Sequence, residues 1–297
     1  MSKISAWLGA MRLRTLPLAA SVVITGSASI GDEHPFSWGI FVLTLITTFL
    51  LQVLSNLAND YGDYSNGADN AGRVGPTRAV QSGEISPKQM KNAITLTASL
   101  CLVFGVSLLW LSLAESGYFM EALLFLSLGI ASIAAAIKYT AGKNPYGYKG
   151  LGDVFVFVFF GLVGVIGTAF LQSKDLNMLS VLNAFVIGAL STAVLNLNNL
   201  RDHINDQAAG KITLVVKMGF QKGKYYQLFL LISALIAAIG AACILNSYWG
   251  LLAFVLPSIR VTKIMKETVP QNLDQELKKF AISALIYSLI QLVVFLV

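Results

Sequence analysis

Charge is what this sequence has least of. Asp, Glu, Lys and Arg together make up 12% of its 297 residues, where a soluble domain carries about a quarter. Hydrophobic residues make up 56%, and mean hydropathy is +0.70. This excludes an ordinary water-soluble domain and indicates an integral membrane protein. Cysteine is nearly absent too. Cys101 and Cys243 both lie in apolar runs, which excludes a disulfide framework or thiolate metal site and leaves them as small packing residues. The two histidines, His34 and His203, are not taken as catalytic: one falls in an outer loop, the other points away from the acidic face described below. No cleavable leader is expected, because the basic N-terminal residues run into a full-length apolar span. The net charge of +6 could suggest a nucleic-acid partner. In a membrane protein it reflects basic cytoplasmic loops, and no nucleic acid is expected.

Long apolar runs are abundant. A bilayer core needs about 20 apolar residues per helix, and nine runs qualify: about 15–31, 37–58, 92–113, 119–138, 152–172, 178–200, 225–245, 247–264 and 280–297. Pro257 and Arg260 interrupt the eighth. Loop charge tests the count. With the N-terminus in the cytoplasm, every one of the 21 basic residues except Lys174 falls on the cytoplasmic side. The outer loops are short and hold Asp32, Glu33, Glu115, Glu121 and Asp175. The expected fold is therefore an all-α integral membrane protein of nine transmembrane helices, N-terminus cytoplasmic and C-terminus outside. The longest loops, about 59–91, 139–151 and 201–224, share the cytoplasmic face, where function is expected.

Two of the greasy helices end in carboxylates. "NLANDYGDYSNGAD" closes the second span and "LNLNNLRDHINDQAAGK" closes the sixth. On a helix, Asn56–Asp60, Asn59–Asp63 and Asn198–Asp202–Asp206 each repeat at i, i+4 and share a face, with Asn199 one turn before Asp202. One cluster alone reads equally well as a solvated helix end. Two at matching ends read as one design used twice, in a single domain with two four-helix halves, about 15–138 and 152–264, and a ninth helix at 280–297. Carboxylates at a helix C-terminus are doubly unfavourable, through mutual repulsion and the helix dipole. A cation resolves both. All-oxygen ligands suit Mg²⁺, which characteristically bridges one or two carboxylates to substrate phosphates. Arg73, Arg78, Lys138, Lys143, Lys211 and Lys217 lie nearby in the same loops to meet phosphate oxygens. The chemistry that fits is a lipid diphosphate at a membrane surface.

These two motifs resemble the aspartate-rich motifs of the UbiA superfamily of intramembrane prenyltransferases. Three longer stretches, "NLANDYGDYSNGADNAGRVGPTRAVQSGEIS", "KYTAGKNPYGYKGLGDVFVFVFFG" and "NNLRDHINDQAAGKITLVVKMG", are similar to its 1,4-dihydroxy-2-naphthoate polyprenyltransferase branch, as is the spacing that places the next motif carboxylate at Asp69. Ile212 departs from the pattern, in which a polar or basic residue often follows the Gly–Lys pair. The resemblance spans nearly the whole chain. It implies transfer of a polyprenyl group from polyprenyl diphosphate to 1,4-dihydroxy-2-naphthoate, with loss of diphosphate and CO₂, in menaquinone biosynthesis at the cell inner membrane. It also implies Mg²⁺ held by Asp60, Asp63, Asp69, Asp202 and Asp206, and assisted by Asn56, Asn59, Asn198 and Asn199. Arg73, Arg78, Lys138, Lys143 and Lys211 would face the diphosphate. A related acceptor, 4-hydroxybenzoate or homogentisate, would need the same diphosphate site.

Other features admit blander readings. Tyr61, Tyr139, Tyr146 and Tyr148 could shield a carbocation with their π-faces, but each fits an interfacial aromatic belt as well; Tyr139, beside Lys138, is the exception taken as catalytic. Phe155, Phe157, Phe159 and Phe160 are read as facing lipid or neighbouring helices rather than a prenyl tunnel. Gly161, Gly164 and Gly167 are read as packing residues. Asp153 either caps its helix or touches the acceptor. A transporter is the main reading of another class, since acidic residues in spans often mark ion paths; here they sit at helix ends. A phosphatidyltransferase would instead need one compact Asp-rich signature.

Overall fold

The computed structural model describes residues 3–31, 33–68, 78–142 and 144–297. Asp69, Arg73 and Lys143 therefore lie outside the described residues. The chain is helical: α1 Lys3–Met11, α2 Leu16–Ser27, α3 Trp38–Ser65, α4 Pro87–Leu109, α5 Phe119–Lys138, α6 Gly152–Val156, α7 Gly167–Ser173, α8 Met178–Ala208, α9 Leu214–Met218, α10 Phe220–Leu245, α11 Val255–Lys266 and α12 Asp274–Leu296. Among the described residues, eight helices are long and apolar enough to cross a membrane: Lys3–Ser27, Trp38–Ser65, Pro87–Ala114, Phe119–Lys138, Gly152–Ser173, Met178–Ala208, Phe220–Leu245 and Pro270–Leu296. The segment expected at 247–264 is not one of them. A 3₁₀ turn at Trp249–Phe254 leads into the 12-residue α11, and Arg260, Lys263 and Lys266 keep that helix polar.

The helices start where local chemistry provides a cap. Ser37 accepts from the Ile40 amide above α3, and Asn177 accepts from the Ser180 amide above α8. Ser86 and Gln89 form a reciprocal capping box behind Pro87 at the head of α4. Between α6 and α7 the chain runs as a π-helix over Phe157–Ile166, a wide turn frequent at functional sites.

The central helix is α8, packed by α10, α12, α2 and the π segment. α12 returns to α2 and closes the bundle. The outward faces are apolar: Leu96, Leu100 and Val103 on α4, Phe229, Ile232 and Ile236 on α10, and Leu289 and Val293 on α12 are all exposed. Such a surface belongs in lipid. Association between helices then falls to close packing and buried polar bonds. A Cβ on Gly161 would stand 2.6 Å from the Ala184 carbonyl oxygen of α8, which bears out its packing role. Tyr287 on α12 donates to Asn183 Oδ1 at 2.6 Å, Asn183 donates to Ser29 Oγ at 2.9 Å, and Thr25 donates to Ser288 at 2.9 Å.

Tyr287→Phe removes one such interhelical bond without changing volume. Unfolding in mixed micelles should show a loss of about 0.6 kcal/mol, and no more than about 1.7. An unchanged midpoint would mean that the bond carries no net stability.

Candidate active site

The two acidic motifs are helical to their ends, and the structure brings them together. Asp60 and Asp63 lie on the last turns of α3, and Asp202 and Asp206 on the last turns of α8. All four are buried. Lys211, just past α8, places its Nζ 3.7 Å from Asp63 Oδ1 and 3.6 Å from Asp206 Oδ1. One ammonium thus stands between a carboxylate of each motif. Burial alone would depress the Lys211 pKa, but Asp63 and Asp206 outweigh it and hold it above the ordinary lysine value. The side chain stays charged throughout the physiological range.

Each remaining carboxylate has its own setting. Asp60 accepts from the amides of Ala79 and Val80, both at 3.2 Å. Asp63 is also met by Arg78 Nη2 at 3.4 Å and by the Tyr148 hydroxyl at 3.0 Å. Arg201 donates to both oxygens of Asp202, Nε at 2.7 Å and Nη2 at 2.6 Å, in a bidentate clamp. The same guanidinium reaches Asn198 Oδ1 at 2.6 Å and pairs with Asp274 at the head of α12. Sequence reasoning counted Arg201 only as a topological charge. Its adjacency to Asp202 was visible, but its tertiary partner was not.

The loop between α5 and α6 ties the helix ends together. Thr140 Oγ1 lies 3.1 Å from both the Ala58 carbonyl and Asn59 Oδ1. Asn66 donates to the Thr140 carbonyl at 2.7 Å. The Ile212 amide donates to the Tyr148 carbonyl at 3.1 Å. Across the motifs, Asn205 donates to the Ala68 carbonyl at 3.1 Å. Asn56 faces the other way, donating to the Met11 carbonyl at 2.9 Å and to Thr15 at 3.1 Å. Asn199 is buried on α8. Lys138 is exposed at the end of α5 and makes no ion pair with the motif carboxylates among the described residues. His203 is turned away, with Nδ1 2.8 Å from the Leu200 carbonyl and its ring against Phe220.

Below the carboxylates opens an apolar cavity of ≈ 340 Å³. Asn56, Asn59, Tyr139 and Tyr146 line its polar end, and Thr44, Leu108, Phe125 and Leu171 its far end. Thr44 and Asn59 sit roughly 22 Å apart along α3 at 1.5 Å per residue. One wall is aromatic. Tyr139 meets Tyr146 edge-on at 5.3 Å, Tyr146 stacks on Phe155 at 4.0 Å, and Phe155 leads to Phe159 at 6.0 Å. Phe155, Phe159 and Phe160 line the cavity, which corrects their reading as facing lipid or neighbouring helices rather than a tunnel, although Phe160 also packs against the core around α8. Phe159 and Phe160 lie within the π segment, and Phe155 lies just before it in α6. Phe157 packs as expected, edge-on to Phe185 at 5.4 Å. Tyr146 and Tyr148 are likewise site residues rather than belt residues, whereas Tyr61 lies under Lys91 at 5.2 Å. Burial pushes the Tyr139 phenol up to about 12, so it remains neutral. Asp153 is buried, its Oδ1 without a hydrogen-bond partner, and it is not among the residues that line the cavity.

Fold and site together define an intramembrane protein whose two carboxylate-bearing helix ends close over a long greasy cavity. The UbiA prenyltransferase family model matches residues 19–289. The chain belongs to that family and is a prenyltransferase of it. It is 40% identical over 294 residues to the 1,4-dihydroxy-2-naphthoate octaprenyltransferase of Escherichia coli, covering 98% of this chain and 94% of that protein. It is 43% identical to the Haemophilus influenzae protein of the same name, over 86% and 82%. A solved UbiA homolog from Archaeoglobus fulgidus, described as bound to GPP and Mg2+, superposes with a TM-score of 0.68 at 15% identity over 100% of both chains. That last likeness concerns the fold.

Gly62 sits where the loop crosses α3. A Cβ there would fall 2.5 Å from both the carbonyl carbon and Oγ1 of Thr140. Gly62→Ala should displace residues 139–151, lowering stability by about 1–3 kcal/mol and opening the loop to limited proteolysis. Unchanged Tm and protease resistance would show that the loop does not need this close approach.

Proposed function

We propose that this chain transfers a polyprenyl group from a polyprenyl diphosphate to 1,4-dihydroxy-2-naphthoate, releasing diphosphate and CO₂ and giving a demethylmenaquinol, the reduced form of a demethylmenaquinone. The observation that carries this reading is the pairing of Asp63 and Asp206 across one cation at the mouth of an apolar cavity. The names of the relatives at 40% and 43% identity support the acceptor.

Mg²⁺ fits the donor set. Among the described residues no three His, Cys, Asp or Glu side chains converge into a ready metal cage. The carboxylates present are oxygen donors, which suit Mg²⁺, and phosphate oxygens of the substrate would complete its coordination. The Lys211 ammonium marks a cation position between the motifs. Asp63 and Asp206 would hold the metal there, with Asp60, Asp202 and, by sequence, Asp69 beside them. Asn59, Asn198 and Asn199 lie on the same helix ends; Asn56, bonded to Met11 and Thr15, braces α3 against the chain's N-terminal part. When bound, Mg²⁺ supplies Lewis-acid charge to the diphosphate and a template for its orientation.

The chain's own residues do the rest. Arg78 and Lys211, with Lys138 and, by sequence, Arg73 and Lys143, neutralise the diphosphate as it leaves with the bonding electron pair. The allylic carbocation left behind lies against the faces of Tyr139 and Tyr146. The neutral Tyr139 phenol offers its π-face and not a competing phenolate nucleophile. The aromatic wall from Tyr146 to Phe159 guides the prenyl chain and excludes water. A ring carbon of the naphthoate attacks the cation, and loss of CO₂ returns an electron pair to the ring. We place this site at the cytoplasmic face of the cell inner membrane, in one domain of nine spans and two four-helix halves. Loop charge supports that orientation. The 3₁₀ turn and α11 together reach roughly 30 Å, enough for the ninth crossing.

The direct test offers purified protein, with Mg²⁺ and farnesyl diphosphate, either dihydroxynaphthoate or 4-hydroxybenzoate. Mass spectrometry should find prenylated product with the naphthoate. EDTA should abolish it, and Asp202→Ala should reduce it by on the order of a hundredfold or more. Product only with hydroxybenzoate would overturn the acceptor, and none with either would overturn the reaction. Lys211→Met tests the shared cation position separately. Leaving buried carboxylates without their cation should cost about 3 kcal/mol in EDTA, and millimolar Mg²⁺ should narrow the loss. A gap indifferent to Mg²⁺ would contradict that position.

A further inference from the structure

A second cavity lies outside this machinery. It occupies ≈ 280 Å³ between α11 and the first turns of α12 and is polar. Arg260, Lys263, Glu267, Asn272, Glu276 and Lys279 line it. Glu276 is only 8% exposed. Its Oε1 is used twice, by Lys279 Nζ at 2.8 Å and Arg260 Nη1 at 3.7 Å. Its Oε2 is buried and meets no donor. Arg260 Nε is buried and meets no acceptor. Lys263 has no ion-pair partner among the described residues. One cavity thus brings together an unsatisfied carboxylate oxygen and an unsatisfied Arg260 Nε, each costly to leave unpaired in a buried place, with the exposed Lys263 ammonium at its edge.

The surroundings say what kind of molecule would satisfy both. Val255 and Ile259 of α11 are exposed, 55% and 54%, and lead along a lipid-facing surface to this polar end. The cavity is also tied to the membrane face that holds the carboxylate site. Asp274, on the same first turn of α12, is the partner of Arg201. Residues two apart do not share a helix face, so Asp274 looks to the active site and Glu276 to the cavity. We infer that this cavity binds the headgroup of a phospholipid carrying both a phosphate and a primary ammonium, a phosphatidylethanolamine. The phosphate meets Arg260 Nε and Lys263, the ammonium meets Glu276 Oε2, and the acyl chains lie along Val255 and Ile259. A purely anionic headgroup satisfies Arg260 and repels Glu276. A quaternary ammonium has no N–H to give Oε2. This assignment does not depend on the identity of the prenyl acceptor.

The test is native mass spectrometry of the full chain, stripped of lipid and offered phosphatidylethanolamine, phosphatidylglycerol or phosphatidylcholine, with Tm measured in parallel. One phosphatidylethanolamine should be retained, with about tenfold preference over each of the others, as one hydrogen-bonded ammonium supplies. Glu276→Gln should lose that preference, and Lys263→Met should weaken retention. Lys263 is exposed, so its substitution keeps the test open where Glu276→Gln fails to fold. Prenyl transfer in detergent should survive Lys263→Met. Equal retention of all three lipids, or preference for phosphatidylglycerol, would overturn the inference. A Tm rise with free phosphoethanolamine equal to that with the lipid would assign the site to a soluble phosphate ester instead, and no retained lipid would leave it a water-filled notch.

Discussion

Four buried carboxylates at two helix C-termini are unstable by themselves, and the fold around them is arranged to hold positive charge in their midst. Lys211 is the centre of that arrangement, its ammonium between Asp63 of one motif and Asp206 of the other. Arg78 and Tyr148 complete Asp63, and Arg201 clamps Asp202. Lengthening α3 and α8 past the apolar layer, bringing Thr140 and Tyr148 of the α5–α6 connection to both ends, and turning the chain sharply after Ala208 all serve to bring these groups within reach. The same geometry makes the site receptive. A position that must hold a cation in the resting protein is ready to accept a divalent one that arrives with a diphosphate.

The membrane imposes the second constraint. Lipid removes the hydrophobic reason for helices to associate, so the interior is held by glycine contacts and short polar bonds such as Tyr287–Asn183–Ser29. This leaves room for an apolar cavity inside the bundle. Its aromatic wall runs from Tyr146 and Phe155 into the π-helix at Phe157–Ile166, where Phe159 and Phe160 continue it. A prenyl chain and a shielded cation need such a surface, continuous from the carboxylates into the bilayer core.

Much of this was legible in the sequence. The i, i+4 repeats of Asn and Asp had one sensible reading once their segments were helical, and α3 and α8 are helical to Ser65 and Ala208. Eight apolar helices fall on the expected runs. Three things were hidden. Phe155, Phe159 and Phe160 were read as facing lipid or neighbouring helices because, in a membrane, inward and outward faces are equally apolar and periodicity says nothing. Tyr146 and Tyr148 carry the same signature as belt residues, and only the fold of residues 139–151 aims them at Phe155 and Asp63. Arg201 was visible as a charge, but its reach to Asp274 depends on where α12 begins. Lys138 shows the converse: it adjoins Tyr139 in sequence, yet its side chain is exposed.

The central claim is that the two motifs form one cation site completed by diphosphate. Electron paramagnetic resonance of Mn²⁺, titrated into the protein with and without inorganic diphosphate, addresses it directly. Wild type should bind Mn²⁺ tightly only with diphosphate present, and Asp63→Asn or Asp206→Asn alone should each abolish that binding. Tight binding that survives either substitution would mean that the motifs act separately, and the shared site would be wrong.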